Sequence, residues 1–137
     1  MSSSGDNVSA SPKEEKAKSQ IVILYAGRDP VLLVVRRLLL EYAGYIVTTA
    51  ATYSAFVKEF TTGDFDGVVL CSSIEDSERR RMAAIVKHRS PSVPVIVISE
   101  SSFSRLGYGT VTVEPHPEAL LNALADALKH RHHRRSA

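Results

Sequence analysis

Short apolar runs alternate with amphipathic stretches along most of the chain. Runs at residues 21–25 (IVILY), 46–50 (IVTTA), 66–71 (DGVVLC), 93–99 (VPVIVIS) and 109–113 (GTVTV) are rich in β-branched residues and bounded by Gly, Pro or Asp. That pattern predicts strands buried on both faces. The run at 93–99 is the most strongly apolar and is expected centrally in the sheet. Between the runs, residues 31–45 (VLLVVRRLLLEYAGY) follow Pro30, which suits a first helical turn, and end at Gly44, a natural stop. Here Val31, Val34, Val35, Leu38 and Leu39 recur at helical spacing and predict the buried stripe, with Arg36, Arg37 and Glu41 on a wetter side. Further helices are predicted at 53–60, closed by Gly63, at 76–89, with Met82, Ile85 and Val86 on one stripe, and at 117–130, with Leu120, Leu124 and Leu128 on one face.

Strands alternating with helices predict an α/β domain with a parallel sheet covered on both sides. In such sheets, binding and chemistry gather beyond the carboxyl ends of the strands. The informative positions are therefore the strand exits at 26–29, 71–73, 99–101 and 114–115.

Composition adds three constraints. Residues 1–19 are rich in Ser, Lys and Glu with few large apolar side chains, and so are expected to be a disordered lead-in. The formal charge of +2 is not a property of the domain: residues 20–128 carry ten Lys/Arg against twelve Asp/Glu, a net of −2, and the excess sits in Lys129, Arg131, Arg134 and Arg135. The expected organisation is thus a lead-in at 1–19, a slightly acidic domain at 20–130 and a basic, disordered tail at 131–137, which weakens any claim that the domain itself binds DNA. The single cysteine, Cys71, rules out an internal disulfide and fits a reducing, cytoplasmic compartment. No apolar run approaches the roughly 18 residues of a membrane span.

Taken in order, residues 29–47 (DPVLLVVRRLLLEYAGYIV), Ala50 with Ala55, PVIVIS at 94–99 and EPHPEALLNAL at 114–124 resemble the response-regulator receiver domain of two-component signalling. The resemblance covers residues 20–130. It implies a flavodoxin-like (βα)5 fold, a doubly wound five-stranded parallel sheet. Only ESSFSRL (100–106) stands where the family has a full fourth helix, so that helix is expected to be shortened or missing. The family's usual dimer face is then doubtful, and Phe103, Leu106 and Tyr108 are candidates for an exposed apolar patch.

The family's site uses two acids after the first strand and an Asp ending the third to bind Mg²⁺. That Asp accepts phosphoryl, and a Ser/Thr and a Lys bond the phosphoryl oxygens. The resemblance places the acid pair at Gly27 and Arg28, with Asp29 one step late. It places the phosphoacceptor at Cys71, the Ser/Thr at Ser99, the Lys at Glu114 and the aromatic switch at Val111. No register shift restores the set, because the nearest acids to the third-strand exit are Asp66, before the run, and Glu75, four residues beyond Cys71.

A degenerate pseudo-receiver follows, with no metal, no cofactor and no enzymatic activity expected. Arg28 and Glu114 are candidates for an ion pair replacing metal and lysine, or else are two solvated side chains. Cys71 is either a small apolar filler or a thiol switch with its pKa lowered by Arg28. Ser72, Ser73 and Ser99 lack a His base with an acid behind it, and His88 and His116 read as helix-end and loop residues. The Arg run at 79–81 reads as a solvated helix face and the tail as a frayed polar terminus.

The expected function is signalling through a protein partner, such as a histidine kinase or another regulator, with no role for a membrane. One alternative is a phosphate-responsive regulator using Ser99 or Asp29. Another is nucleic-acid association through the basic tail, which the domain's negative balance disfavours.

Overall fold

A computed structural model describes residues 21–99 and 111–136, with side chains of the last helix described as far as Lys129. Its elements run β1 (Val22–Ala26), α1 (Pro30–Tyr42), β2 (Ile46–Ala50), α2 (Tyr53–Thr62), β3 (Gly67–Leu70), α3 (Asp76–Arg89), β4 (Val95–Ile98), β5 (Val111–Val113) and α4 (Pro117–Ser136). The five strands form one sheet in the order β2-β1-β3-β4-β5, and every pairing is parallel. The central place belongs to β3, with β4 beside it, rather than to the most apolar run. β3 is buried at every residue as well, so apolarity alone does not separate the two.

Strand residues alternate between two cores, as the two-residue period requires. Leu24, Val68, Val95 and Val97 face one layer with Phe56, Phe60, Met82 and Val86 from α2 and α3. Ile23, Tyr25, Val69, Cys71, Ile96 and Ile98 face the other with Leu40, Leu120 and Leu124 from α1 and α4. Leu120, Leu124 and Leu128 form the buried face of α4 as their spacing predicts. The helix continues to Ser136, through the positions of Arg131, Arg134 and Arg135.

Local chemistry fixes the ends of α1. Asp29 is its N-cap, its Oδ1 accepting from the amides of Val31 (2.9 Å) and Leu32 (3.2 Å), and Pro30 follows in the first turn. At the other end Gly44 has φ 106°. The amide of Tyr45 bonds the carbonyl of Leu40 at 3.1 Å, and that of Gly44 bonds Glu41 at 2.9 Å. This is the 6→1, 5→2 closure of a Schellman motif, with Tyr45 and Leu40 both in the core beneath it.

The buried side of α1 differs from the one its spacing predicts. Leu40 is fully buried, and Leu32, Leu33, Leu39 and Ala43 pack on the same core. Val31, Val34, Val35 and Leu38 are exposed, and Arg36 turns inward. A helix carrying apolar residues on nearly every side offers two candidate stripes, and Arg36's partners, described below, select between them. The expected shortened fourth helix, and the patch of Phe103, Leu106 and Tyr108, lie outside the described residues.

Replacing Leu40 by Ala is expected to cost about 2–5 kcal/mol in urea unfolding. Leu38→Ala, at a side chain 52 % exposed, is expected to change stability by only about 0.5 kcal/mol. Equal losses at the two positions would refute this orientation of the helix.

Candidate functional site

Parallel pairing brings the ends of β1 and β3 side by side. The Cys71 amide donates to the Ala26 carbonyl at 2.9 Å, and the Gly27 amide to that of Ala50 at 3.0 Å. Gly27 and Cys71 are consequently neighbours: a Cβ built on Gly27 would lie 3.1 Å from the Cys71 Cβ and 3.5 Å from the Tyr25 hydroxyl. A side chain at position 27 requires one of those neighbours to yield.

The Cys71 sulfur is fully buried and surrounded by donors. Arg36 Nη1 reaches it at 3.0 Å, the Ser73 hydroxyl at 3.3 Å and the Ser73 amide at 3.5 Å. The Tyr25 hydroxyl also bonds the sulfur and itself accepts from Arg36 Nη1 at 3.3 Å. Burial pushes the thiol pKa up. The two bonds from Ser73, the bond from Tyr25 and the charge of Arg36 together outweigh burial and hold it below the ordinary thiol value. Burial, then the bond to Cys71, drives Tyr25 the other way, and its phenol stays protonated far above its usual range. The cluster is arranged to hold negative charge on sulfur, yet it is closed to solvent. Arg36, not Arg28, supplies the cation.

Arg28 points elsewhere. It pairs with Glu78 of α3, while Glu114 is exposed and lies 3.6 Å from His116, so the expected Arg28–Glu114 pair is not formed. Ser73 joins the two loops, its hydroxyl accepting from the amides of Arg28 (2.9 Å) and Asp29 (3.2 Å). Asp29 directs its carboxylate to the helix cap. Asp66 lies at the opposite end of the sheet, where Oδ2 accepts from the Val22 amide at 2.9 Å. Glu75, which precedes α3, is exposed.

Ser99 is buried at the end of β4, and its amide bonds the Val113 carbonyl at 2.8 Å. Val111, paired with Ile96, is half-buried against the core shared by α1 and α4. His88 is exposed in the last turn of α3.

The arginine run is not uniformly solvated. Arg80 pairs with Asp76 and Arg81 lies over the Tyr53 ring, but Arg79 is largely buried and donates to the Ile98 carbonyl at 3.3 Å. Its Nε is buried without a hydrogen-bond partner among the described residues.

Comparison with solved structures places this architecture. The chain is similar to a CheY-like response regulator receiver domain protein from Methanospirillum hungatei (TM-score 0.74, 20 % identity, 83 % of this chain and 98 % of that one). It is similar to a response regulator receiver protein from Sinorhizobium medicae (TM-score 0.72, 22 % identity, 81 % and 96 %). It also resembles a response regulator protein from Thermotoga maritima in complex with Mg(2+)-BeF (TM-score 0.70, 18 % identity, 80 % and 99 %). The chain has the receiver fold. No protein-family model and no curated protein sequence matches it.

Within that fold, the residues present do not fit magnesium. The ion takes hard oxygen ligands in near-octahedral geometry. Here the loop after the first strand holds Gly27 and Arg28, Asp29 caps a helix, and Cys71 offers a soft sulfur already contacted by a guanidinium. Among the described residues no cluster of three or more His, Cys, Asp or Glu could hold a metal, and no helix is long and apolar enough to cross a membrane.

The sequence singled out Cys71 but not Tyr25, Arg36 or the role of Ser73. A usable signal for Tyr25 was its place at the end of a buried strand, where a phenol needs a polar partner. For Arg36 it was the spacing from Leu32, Leu33 and Leu40, which puts it on their face.

Ser73→Ala is expected to raise the Cys71 pKa, because the side-chain bond that offsets burial is lost, as read from the pH dependence of its β-carbon NMR shift. The linkage has a definite sign. A thiol depressed by folding contributes stability that is complete above about pH 8.5 and is lost as pH falls through its folded value. Tyr25, raised by folding, contributes stability that is complete below about pH 10 and is lost as pH rises further. Tyr25→Phe should therefore flatten the alkaline loss in unfolding titrations, and an unchanged slope would count against a buried neutral phenol.

Proposed function

We propose that the chain is a receiver-fold signalling module that works by protein contact, is not phosphorylated on aspartate and catalyses no reaction. The observation that carries this reading is the buried Cys71 sulfur at the third-strand exit, held by Ser73, Tyr25 and Arg36. A receiver accepts phosphoryl there on a carboxylate, and phosphoryl transfer requires metal to neutralise the developing charge.

The surrounding substitutions support the same reading. At the first exit, positive charge stands where the family has acid, and Arg28 is paired with Glu78. At the fifth, Glu114 stands where the family has lysine and lies beside His116. Ser99 remains, but it is buried, and Asp29 already accepts two helix amides. A phosphate-responsive mechanism through either residue would have to displace those arrangements. The output is then carried by surface recognition, with a histidine kinase or another regulator as the class of partner.

Mg²⁺ with beryllofluoride, the ligand named for the Thermotoga maritima structure, provides the test. In NMR spectra of the isotope-labelled chain, no saturable shifts are expected at Gly27, Cys71, Ser99 or Glu114. Saturable shifts centred on those residues would overturn the proposal, as would phosphate incorporation from a kinase that Asp29→Asn or Ser99→Ala abolishes.

A further inference from the structure

The inward turn of Arg36 has a counterpart on the outside of α1. Among the described residues, all the large hydrophobic side chains that are exposed lie on this helix or just beyond it: Val31, Val34, Val35, Leu38, Tyr42 and Ile46. The first five follow a spacing of three, four, seven and eleven residues from Val31, which is one continuous helical stripe. Tyr42 is 94 % exposed, a ring standing almost wholly in water. Isolated exposed apolar residues are ordinary, but a contiguous stripe signals association.

The stripe is built to meet itself. Its flanking charges, Arg37 and Glu41, are equal and opposite and form a 3.5 Å pair, so the face selects no partner of one sign. In an antiparallel pair centred near Leu38, the Val31 end of one helix meets the Ile46 end of the other. Val34 and Val35 meet Tyr42, and Arg37 comes alongside Glu41. Every exposed apolar side chain then has a counterpart.

Val35 also borders an apolar cavity of about 170 Å³ between α1 and the start of α4, whose lining includes Leu39, Ile98, Leu120, Arg36 and Glu114. Apolar cavities of about 150 Å³ admit a benzene ring. A Tyr42 arriving over Val35 thus meets a ring-sized recess with polar groups in its wall. The chain's own leading segment does not offer such a face, since Met1 and Val8 are the only large apolar residues among the first twenty.

We propose that α1 is a self-association surface on which two copies pair antiparallel about a two-fold axis near Leu38, each covering the other's valines with Tyr42. One face of a 13-residue helix, about 20 Å long and about 10 Å wide, offers about 200 Å², well short of the roughly 800 Å² per partner of a standard interface. The dimer is therefore weak and concentration-dependent. It does not depend on whether the strand-exit site responds to phosphoryl groups.

Sedimentation velocity on the full chain, from low micromolar to near-millimolar, tests this. The weight-average mass is expected to climb toward that of a dimer. Leu38→Glu and Tyr42→Ala are each expected to weaken association at least about tenfold, which corresponds to ~1.4 kcal/mol. Lys58→Glu, at an exposed residue of α2, should leave it unchanged. Circular dichroism confirms that each variant is folded. Under mild oxidation Leu38→Cys should yield a disulfide-linked dimer and Lys58→Cys should not. A chain that stays monomeric throughout, or a dimer indifferent to Leu38→Glu, overturns the proposal.

Discussion

The contact between Arg36 and the Cys71 sulfur at 3.0 Å is the constraint on which the rest of this structure turns. A cation drawn inward among apolar neighbours must find acceptors, because an unpaired buried charge costs several kcal/mol. Arg36 finds the sulfur of Cys71 and the oxygen of Tyr25. Satisfying that cation fixes the rotation of α1 about its axis. Leu32, Leu33, Leu39 and Leu40 then lie toward the sheet, and the valine stripe faces water. Site chemistry and surface character are therefore one decision. The inward arginine links the sulfur contact at the third-strand exit to the exposed apolar face of the helix.

That coupling explains which parts of the molecule were legible in the sequence. The strands were, because β-branched runs bounded by Gly, Pro and Asp have few alternatives. The β3 run, ending at Cys71, needed no tertiary information. The ends of α1 were legible because Pro30 and Gly44 act through local backbone geometry. Its buried face was not. From Val31 to Leu40 only Arg36 and Arg37 are polar, so periodicity supports two stripes almost equally. The deciding term was a long-range contact to residues eleven and thirty-five positions away, Tyr25 and Cys71.

The same distinction runs through the site. That Gly27, Cys71, Ser99 and Glu114 lie at strand exits was legible because the strand ends themselves were. Their partners were not. Arg28 found Glu78 rather than Glu114 because α3 passes beside the first loop, which depends on helix packing. Asp29 reads as a spare acid until the α1 amides are seen to use it. Ser73 was set aside as a candidate nucleophile, yet its hydroxyl ties the β1–α1 loop to Cys71 by bonding the amides of Arg28 and Asp29 and the sulfur.

The residues at the first and third strand exits are also coupled to one another. A carboxylate in place of Cys71 would meet Arg36, Tyr25 and Ser73, groups that already stabilise negative charge. Such a carboxylate would be satisfied by the protein's own donors. An acid introduced at Gly27 meets a different constraint, since a Cβ there stands 3.1 Å from that of Cys71. An acid introduced in place of Arg28 leaves Glu78 without its cation. Each change alone moves one group into a surrounding adapted to another, as expected for residues that share partners and couple non-additively. The arrangement is thus self-consistent, with arginine, phenol and hydroxyl groups satisfying the Cys71 sulfur and Glu78 balancing Arg28.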